Sequence, residues 1–207
     1  MQYIRSGYLT ALTLWLLINL MNFVPHTRAF DGARRPTIAT TLELIRELHE
    51  GQFDGQGDPY VLHPQRVAAN LLQICPLASD DMVMAALLHD VVEDCKHKGV
   101  DIEFLRQKGY SDETLEIVEI LTKPEGDQRP YPEVIEDIIA TGNKRAMLVK
   151  IADNMDNLHP ERIMREDRYI ASIKRLSAAV GWNAEYIFNT ISSAKLLSEL
   201  NAEHARA

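Results

Sequence analysis

From residue 38 onward, apolar side chains recur every three or four positions in one segment after another. The segments are 38–49 (Ile38, Leu42, Ile45, Leu48), 65–74, 79–94, 101–108, 112–122, 132–140, 143–158, 167–180 and 182–200. That spacing puts the apolar groups of each segment on one helical face and predicts a helix in each. Breaks fall at the glycine-rich 51–58, at Cys75-Pro76, at Gly109, between Lys123 and Pro132, and at Gly181. No alternating strand pattern of useful length interrupts the series. The chain therefore reads as an all-α helical bundle, with any site in a cleft between helices.

Segment 79–94 departs from a simple amphipathic pattern. Ser79 is placed to cap it, Asp80 and Asp81 suit the positive end of the helix dipole, and Met82 to Leu88 are uniformly apolar core. The run then ends in His89-Asp90-Val91-Val92-Glu93-Asp94. On one unbroken helix His89 and Glu93 fall four apart, as do Asp90 and Asp94, so two potential ligands and two acids share neighbouring faces. Buried without partners, such groups cost several kcal/mol, about what a divalent cation offsets. A second histidine, His63, lies upstream in Tyr60-Val61-Leu62-His63-Pro64, and Asp153 lies downstream in Lys150-Ile151-Ala152-Asp153. Two histidines and two aspartates, with no thiolate, suit Mn²⁺, Fe²⁺ or Mg²⁺ better than a closed structural zinc site. Taken alone, His63 before a proline also reads as a plain helix-start residue. Asp153 can equally cap a helix, and Glu93 and Asp94 can form an ordinary exposed face.

In order and spacing, His63, His89-Asp90 and Asp153 resemble the H...HD...D signature of HD-superfamily metal-dependent phosphohydrolases. Four longer segments resemble the hydrolase domain of RelA/SpoT-type alarmone enzymes and their small stand-alone relatives: His49 to Gln52, Gly57 to Pro64, Ala85 to Asp94 and Lys150 to Asn157. Leu121-Thr122-Lys123 is a weaker match. The resemblance spans roughly residues 38 to 180 and implies an HD-domain helical bundle. It implies that His63, His89, Asp90 and Asp153 bind a divalent metal, usually manganese, that Glu93 and Asp94 are the catalytic acids, and that Asn157 contacts substrate. The implied reaction is removal of the 3′-pyrophosphate from guanosine tetra- or pentaphosphate by a metal-activated water.

One position departs from that pattern. The alarmone hydrolases usually carry a basic residue between the Gly-Gln and Pro-Tyr elements, where it packs on the guanine base; here Asp54 stands there, and 50–62 holds no lysine or arginine. A carboxylate about 4 Å from a phosphate oxygen is repelled by roughly 1 to 4 kcal/mol. Lys123 and Lys150 are then the first candidates for phosphate contacts, with Arg129 and Lys144 behind them. The departure keeps a second enzyme reading open, a nucleotidase or general phosphohydrolase acting on another phosphorylated small molecule. A reading of another class is a non-catalytic nucleotide-binding sensor, which the presence of all four ligands and both acids disfavours.

Composition changes little of this. The 207 residues fit one domain over 36–207 plus an extension over 1–35. A formal charge of −8 leaves no basic stripe for nucleic acid, whereas a small phosphorylated ligand needs only local cations. Cys75 and Cys95 lack metal spacing and read as free thiols. His49 reads as support for the core or the site, and His26, His97, His159 and His204 as surface residues. Pro124 to Pro130 reads as an exposed connection. From Ser6 to Val24 no residue is charged, which reads three ways: a signal peptide after Arg5, a membrane anchor with Arg28, Arg34 and Arg35 on the inner side, or an extra helix or upstream extension if translation begins at Met21. A nucleotide substrate favours a cytoplasmic catalytic domain, with membrane association through residues 6–24 second and export third.

Overall fold

Helix starts follow from local side-chain chemistry. Ser79 accepts from the Met82 amide, Asp101 from Phe104, Ser111 from Thr114, and Asn143 from Arg145 and Ala146. Each satisfies an amide that the first helical turn would leave unpaired. The computed structural model of the chain describes residues 35–158 and 166–191. Their helices are α1 Ile38–Leu48, α2 Leu62–Ile74, α3 Asp80–Leu88, α4 Val91–Asp94, α5 Ile102–Gln107, α6 Asp112–Leu121, α7 Tyr131–Ala140, α8 Lys144–Asn157 and α9 Glu166–Val180. A 3₁₀ turn, Lys96–Lys98, follows α4, and a further helical stretch covers 184–191. Among the described residues the only extended pairing is a single antiparallel bridge between Phe53 and Pro59.

α3 is the central helix. Every residue from Met82 to Leu88 is buried, as its all-round apolar sequence requires. It packs against α1, α2, α6 and α8, while α8 packs against α2 and α9. The long buried run of α8, Ala146 to Val149 and Ile151 to Met155, carries one charged residue, Asp153.

Two expectations are corrected here. The segment 79–94 is two helices, because His89 and Asp90 form a turn between α3 and α4. The His89 ring donates from Nδ1 to the Ala86 carbonyl at 2.9 Å, a local bond that competes with the helical ladder. Asp90 sits at φ −104°, ψ −10°, in the bridge region, and its carbonyl accepts from the amides of Glu93 (3.1 Å) and Asp94 (2.9 Å) as the chain restarts. The stacking of His89 over Glu93 on one continuous helix therefore does not apply. α2 also begins three residues ahead of the expected 65, so that His63 and Pro64 lie in its first turn. The apolar 6–24 segment and the last turns of the expected helix 182–200 lie outside the described residues. Among those described, no helix is long and apolar enough to cross a membrane.

Candidate metal centre and its cleft

His63 enters from α2, His89 and Asp90 from the α3–α4 turn, and Asp153 from α8. The two imidazoles lie edge to face with centroids 5.2 Å apart. His63 Nδ1 donates to Asp156 Oδ2 at 2.7 Å, and His89 Nδ1 donates to a carbonyl, so both rings turn Nε2 toward the cluster. Asp90 Oδ2 lies 3.4 Å from His63 Nε2 and 3.0 Å from His89 Nε2. Asp153 Oδ1 lies 3.4 and 3.8 Å from the same two atoms. Ligand atoms of His63, His89 and Asp90 all fall within 4.8 Å of one another.

Whether these residues suit a cation is decided by His89 Nε2. It is buried and has no hydrogen-bond partner, although it faces carboxylates and a second imidazole nitrogen. A buried ring nitrogen that makes no hydrogen bond is costly, and a divalent ion at the centre of the cluster would take it as a ligand together with His63 Nε2 and the two aspartates. The donor set fits.

A surrounding layer fixes each donor. Arg66 grips Asp156 through Nε (2.6 Å to Oδ1) and Nη2 (3.1 Å to Oδ2), and Asp156 in turn orients His63. Tyr60 donates to Asp90 Oδ2 at 2.6 Å. Lys150 Nζ lies 2.8 Å from Asp153 Oδ2, and the Asn157 amide donates to Asp153 Oδ1 at 2.7 Å. His49 packs against Tyr60 with the rings tilted by 42° and bonds Gln52, which reaches the Asp94 carbonyl at 3.3 Å. His49 thus supports the site from behind.

The carboxyl groups fall into two electrostatic classes. Burial opposes the ionised forms of Asp90 and Asp153. His89 and His63 nevertheless hold Asp90 well below the usual carboxylate range, and Lys150 and His63 do the same for Asp153. Burial also opposes the charged His63 ring, but Asp153, Asp156 and Asp90 push it up to about 12. Glu93 and Asp94 are solvent-exposed yet go the other way: partial desolvation of the carboxyl first, then the Asp90 charge, raises both. Two acids shifted upward therefore stand beside two held in the ionised form.

The other sequence candidates divide. Lys123 is exposed, but its backbone amide donates to Glu93 Oε1 at 2.6 Å, which ties the 123–130 connection to an acid of the site. Arg129 is exposed and paired with Asp127 and Asp137. Lys144 stands at the start of α8, nine residues and about 14 Å of helix from Asp153, with Nζ 3.5 Å from the Val180 carbonyl. Neither of these two joins the cluster. Asp54 borders the cleft, yet its Oδ1 accepts from the backbone amides of Gln56 (2.9 Å) and Asp58 (3.0 Å). His97 is exposed, and His26, His159 and His204 lie outside the described residues.

A cleft of about 500 Å³ opens beside His63, walled by Phe53, Gln56, Tyr60, Asn157 and Tyr169. Sequence reasoning missed Arg66, Asp156, Tyr131, Arg168 and Tyr169. Arg66 and Asp156 each follow a candidate ligand by three residues, a helical spacing that could have pointed to them. The Arg168 guanidinium lies over the Tyr131 ring at 4.3 Å and the Tyr169 ring at 4.7 Å, in a segment with no recognisable motif.

Comparison with known proteins agrees with this architecture. A family model described as HD domain matches residues 41–171. The chain is 31% identical over 134 residues to a guanosine-3′,5′-bis(diphosphate) 3′-pyrophosphohydrolase of Haemophilus influenzae, covering 60% of this chain and 19% of that protein. It is 30% identical over 130 residues to the bifunctional (p)ppGpp synthase/hydrolase SpoT of Escherichia coli, covering 60% and 18%. The chain thus spans about a fifth of the length of these relatives. A solved structure of a metazoan ortholog of SpoT, one that hydrolyzes ppGpp and plays a role in starvation responses, superposes with a TM-score of 0.60 at 26% identity, covering 81% of this chain and 98% of that one. The chain belongs to the HD domain family.

Proposed function

We propose that the chain is a metal-dependent phosphohydrolase that removes the 3′-pyrophosphate from guanosine tetra- or pentaphosphate. The observation that carries the reading is the convergence of His63 Nε2 and the buried His89 Nε2, which makes no hydrogen bond, on Asp90 and Asp153 within 3.8 Å, beside Glu93 and Asp94. Relatives that share the fold and are named for this hydrolysis support the substrate class. His63, His89, Asp90 and Asp153 would hold the cation, with Mn²⁺ favoured over Fe²⁺ or Mg²⁺. When bound, the cation supplies Lewis acidity toward a phosphoryl oxygen and activates the attacking water.

The chain's own residues do the rest. Lys150 and Asn157 keep Asp153 ionised and in place. Glu93 and Asp94, both raised toward the protonated form, take up the proton of the attacking water and return one to the 3′ oxygen as its bond to phosphorus breaks. Lys123, whose backbone amide bonds Glu93, would supply a cation to a phosphate. With Mn²⁺ added, the purified protein should release pyrophosphate from guanosine tetraphosphate, and Asp90→Ala should abolish the release. A second reading rests on Asp54 and on the lack of any basic residue over 50–62: a nucleotidase or general phosphohydrolase acting on a different phosphorylated small molecule. Orthophosphate released from another nucleotide, with guanosine tetraphosphate untouched, would establish it in place of the first.

A further inference from the structure

The metal centre and its supports leave one cluster beside the cleft without a task. Tyr131 opens α7, Arg168 and Tyr169 lie in the first turn of α9, and Tyr169 forms part of the cleft wall together with Asn157 and His63. The Arg168 guanidinium lies 4.3 Å from the Tyr131 ring centroid and 4.7 Å from that of Tyr169, and the two rings meet edge to face at 5.9 Å. Consecutive residues of a helix point about 100° apart. Arg168 therefore meets Tyr169 only because its side chain folds back over its neighbour, where Nη2 donates to the Tyr169 hydroxyl at 2.7 Å.

That conformation is costly for an arginine, whose donors ordinarily reach water or a carboxylate. Arg168 is half-buried, its Nε is buried without a hydrogen-bond partner, and among the described residues it forms no ion pair. The two ring contacts and the bond to the hydroxyl offset the lost hydration and the fixed rotamers. The result is a rigid corner, because a cation wedged between two rings holds both at a set angle.

The corner joins the cleft wall to the metal centre. The Tyr131 hydroxyl donates to Asn154 Oδ1 at 2.6 Å, and Lys150 Nζ stands 5.8 Å from the Tyr131 ring centroid and 2.8 Å from Asp153 Oδ2. Tyr131 is thus fixed against α8 beside the ligand Asp153, and Arg168 carries that placement across to Tyr169. We propose that Arg168 is a positioning residue that sets the Tyr169 wall of the cleft relative to the metal ligands and so tightens binding of the phosphorylated substrate, the effect on substrate resting on the hydrolase reading above.

In ligand-free protein carrying 3-fluorotyrosine, Arg168→Ala should shift the fluorine resonances of Tyr131 and Tyr169, assigned from Tyr131→Phe and Tyr169→Phe, and leave that of Tyr110 in place. Unmoved Tyr131 and Tyr169 resonances would overturn the corner whatever the substrate is. With Mn²⁺ and guanosine tetraphosphate, Arg168→Ala should raise KM about 3- to 30-fold while kcat and Mn²⁺ affinity stay within about twofold. The rise should be absent when Tyr169 is already alanine, because Arg168 acts through that ring, and Arg168→Lys, which keeps a cation between the rings, should recover part of the loss. An equal rise in the Tyr169→Ala background, or a joint fall in kcat, substrate affinity and metal affinity, would mark a general structural role and overturn the proposal, as would an unchanged KM. Shifted resonances in a protein that hydrolyses no guanosine polyphosphate would keep the corner and defeat the hydrolase reading.

Discussion

Asp156 shows how much a single carboxylate controls here. It receives the His63 Nδ1 proton on one oxygen and is gripped by Arg66 on both, so the orientation of His63 Nε2 depends on a pair of residues outside the cluster. In Asp156→Asn the amide oxygen can still accept from Nδ1, but the charge and the two-point bond to Arg66 are lost. Affinity for Mn²⁺ should fall about 10- to 100-fold, read by calorimetric titration of chelator-stripped protein. The variant should also change the response to acid. Burial alone would raise the Asp156 carboxyl, but His63 and Arg66 hold it below its ordinary value. A carboxyl lowered on folding stabilises the fold above its unfolded pKa, about 3.9, and that contribution is lost as pH falls through the folded value. The stability gap between wild type and Asp156→Asn, measured by urea unfolding, should therefore be full at about pH 6 and shrink steadily below about pH 4. A gap independent of pH would show that the charge of Asp156 contributes nothing. His89 and Asp90 stood out in the sequence because polar groups at the end of an apolar helical run require partners, His63 and Asp153 because they complete an HD-type order with them, and the structure brings those four together. Arg66 and Asp156 did not stand out, because their pairing exists only once α2 and α8 are packed.

At the scale of the element, what the sequence revealed and what it hid have different physical origins. The start at Ser79 was legible because a serine precedes two acids and an apolar run, and the structure shows caps of the same kind at Asp101, Ser111 and Asn143. The break after α3 was not, since no glycine or proline marks it; the cause is the His89 ring turning back on the Ala86 carbonyl. That break matters to the site, because it lets consecutive residues point into one cluster, which a regular helix does not allow. α8 offers a cleaner test of local control. Asn143 Oδ1 accepts from two amides at 3.0 and 3.1 Å at the end of the helix opposite Asp153. Asn143→Ala should lower unfolding free energy by about 1 kcal/mol while leaving Mn²⁺ affinity within about twofold, because the lost cap acts only on the first turn. A large loss of metal affinity would mean that the cluster depends on the register of the whole helix.

On the scale of the molecule, the all-α class follows from periodicity alone, but which helices meet does not, because every amphipathic face looks alike to its own sequence. The cluster resolves that ambiguity by joining α2, the α3–α4 turn and α8 at one point. Without a cation, the half-buried Asp90 and the buried Asp153 depend on His63, His89 and Lys150 for compensation. An ion that binds only the folded chain adds about 2.7 kcal/mol at a concentration a hundred times its Kd. For a domain of this size each kcal/mol moves Tm by about 2 to 4 °C. Stripping the protein with a chelator should therefore lower Tm by about 5 to 10 °C, and Mn²⁺ should restore it. Asp90→Ala should show only a small part of that shift, since it removes the carboxylate nearest His89 Nε2 and one of the two that face His63 Nε2. A Tm that ignores Mn²⁺, Fe²⁺ and Mg²⁺ alike in the wild type would falsify the metal reading itself. It would leave the convergence of His63, His89, Asp90 and Asp153 as a network of buried ion pairs, protonated on both rings.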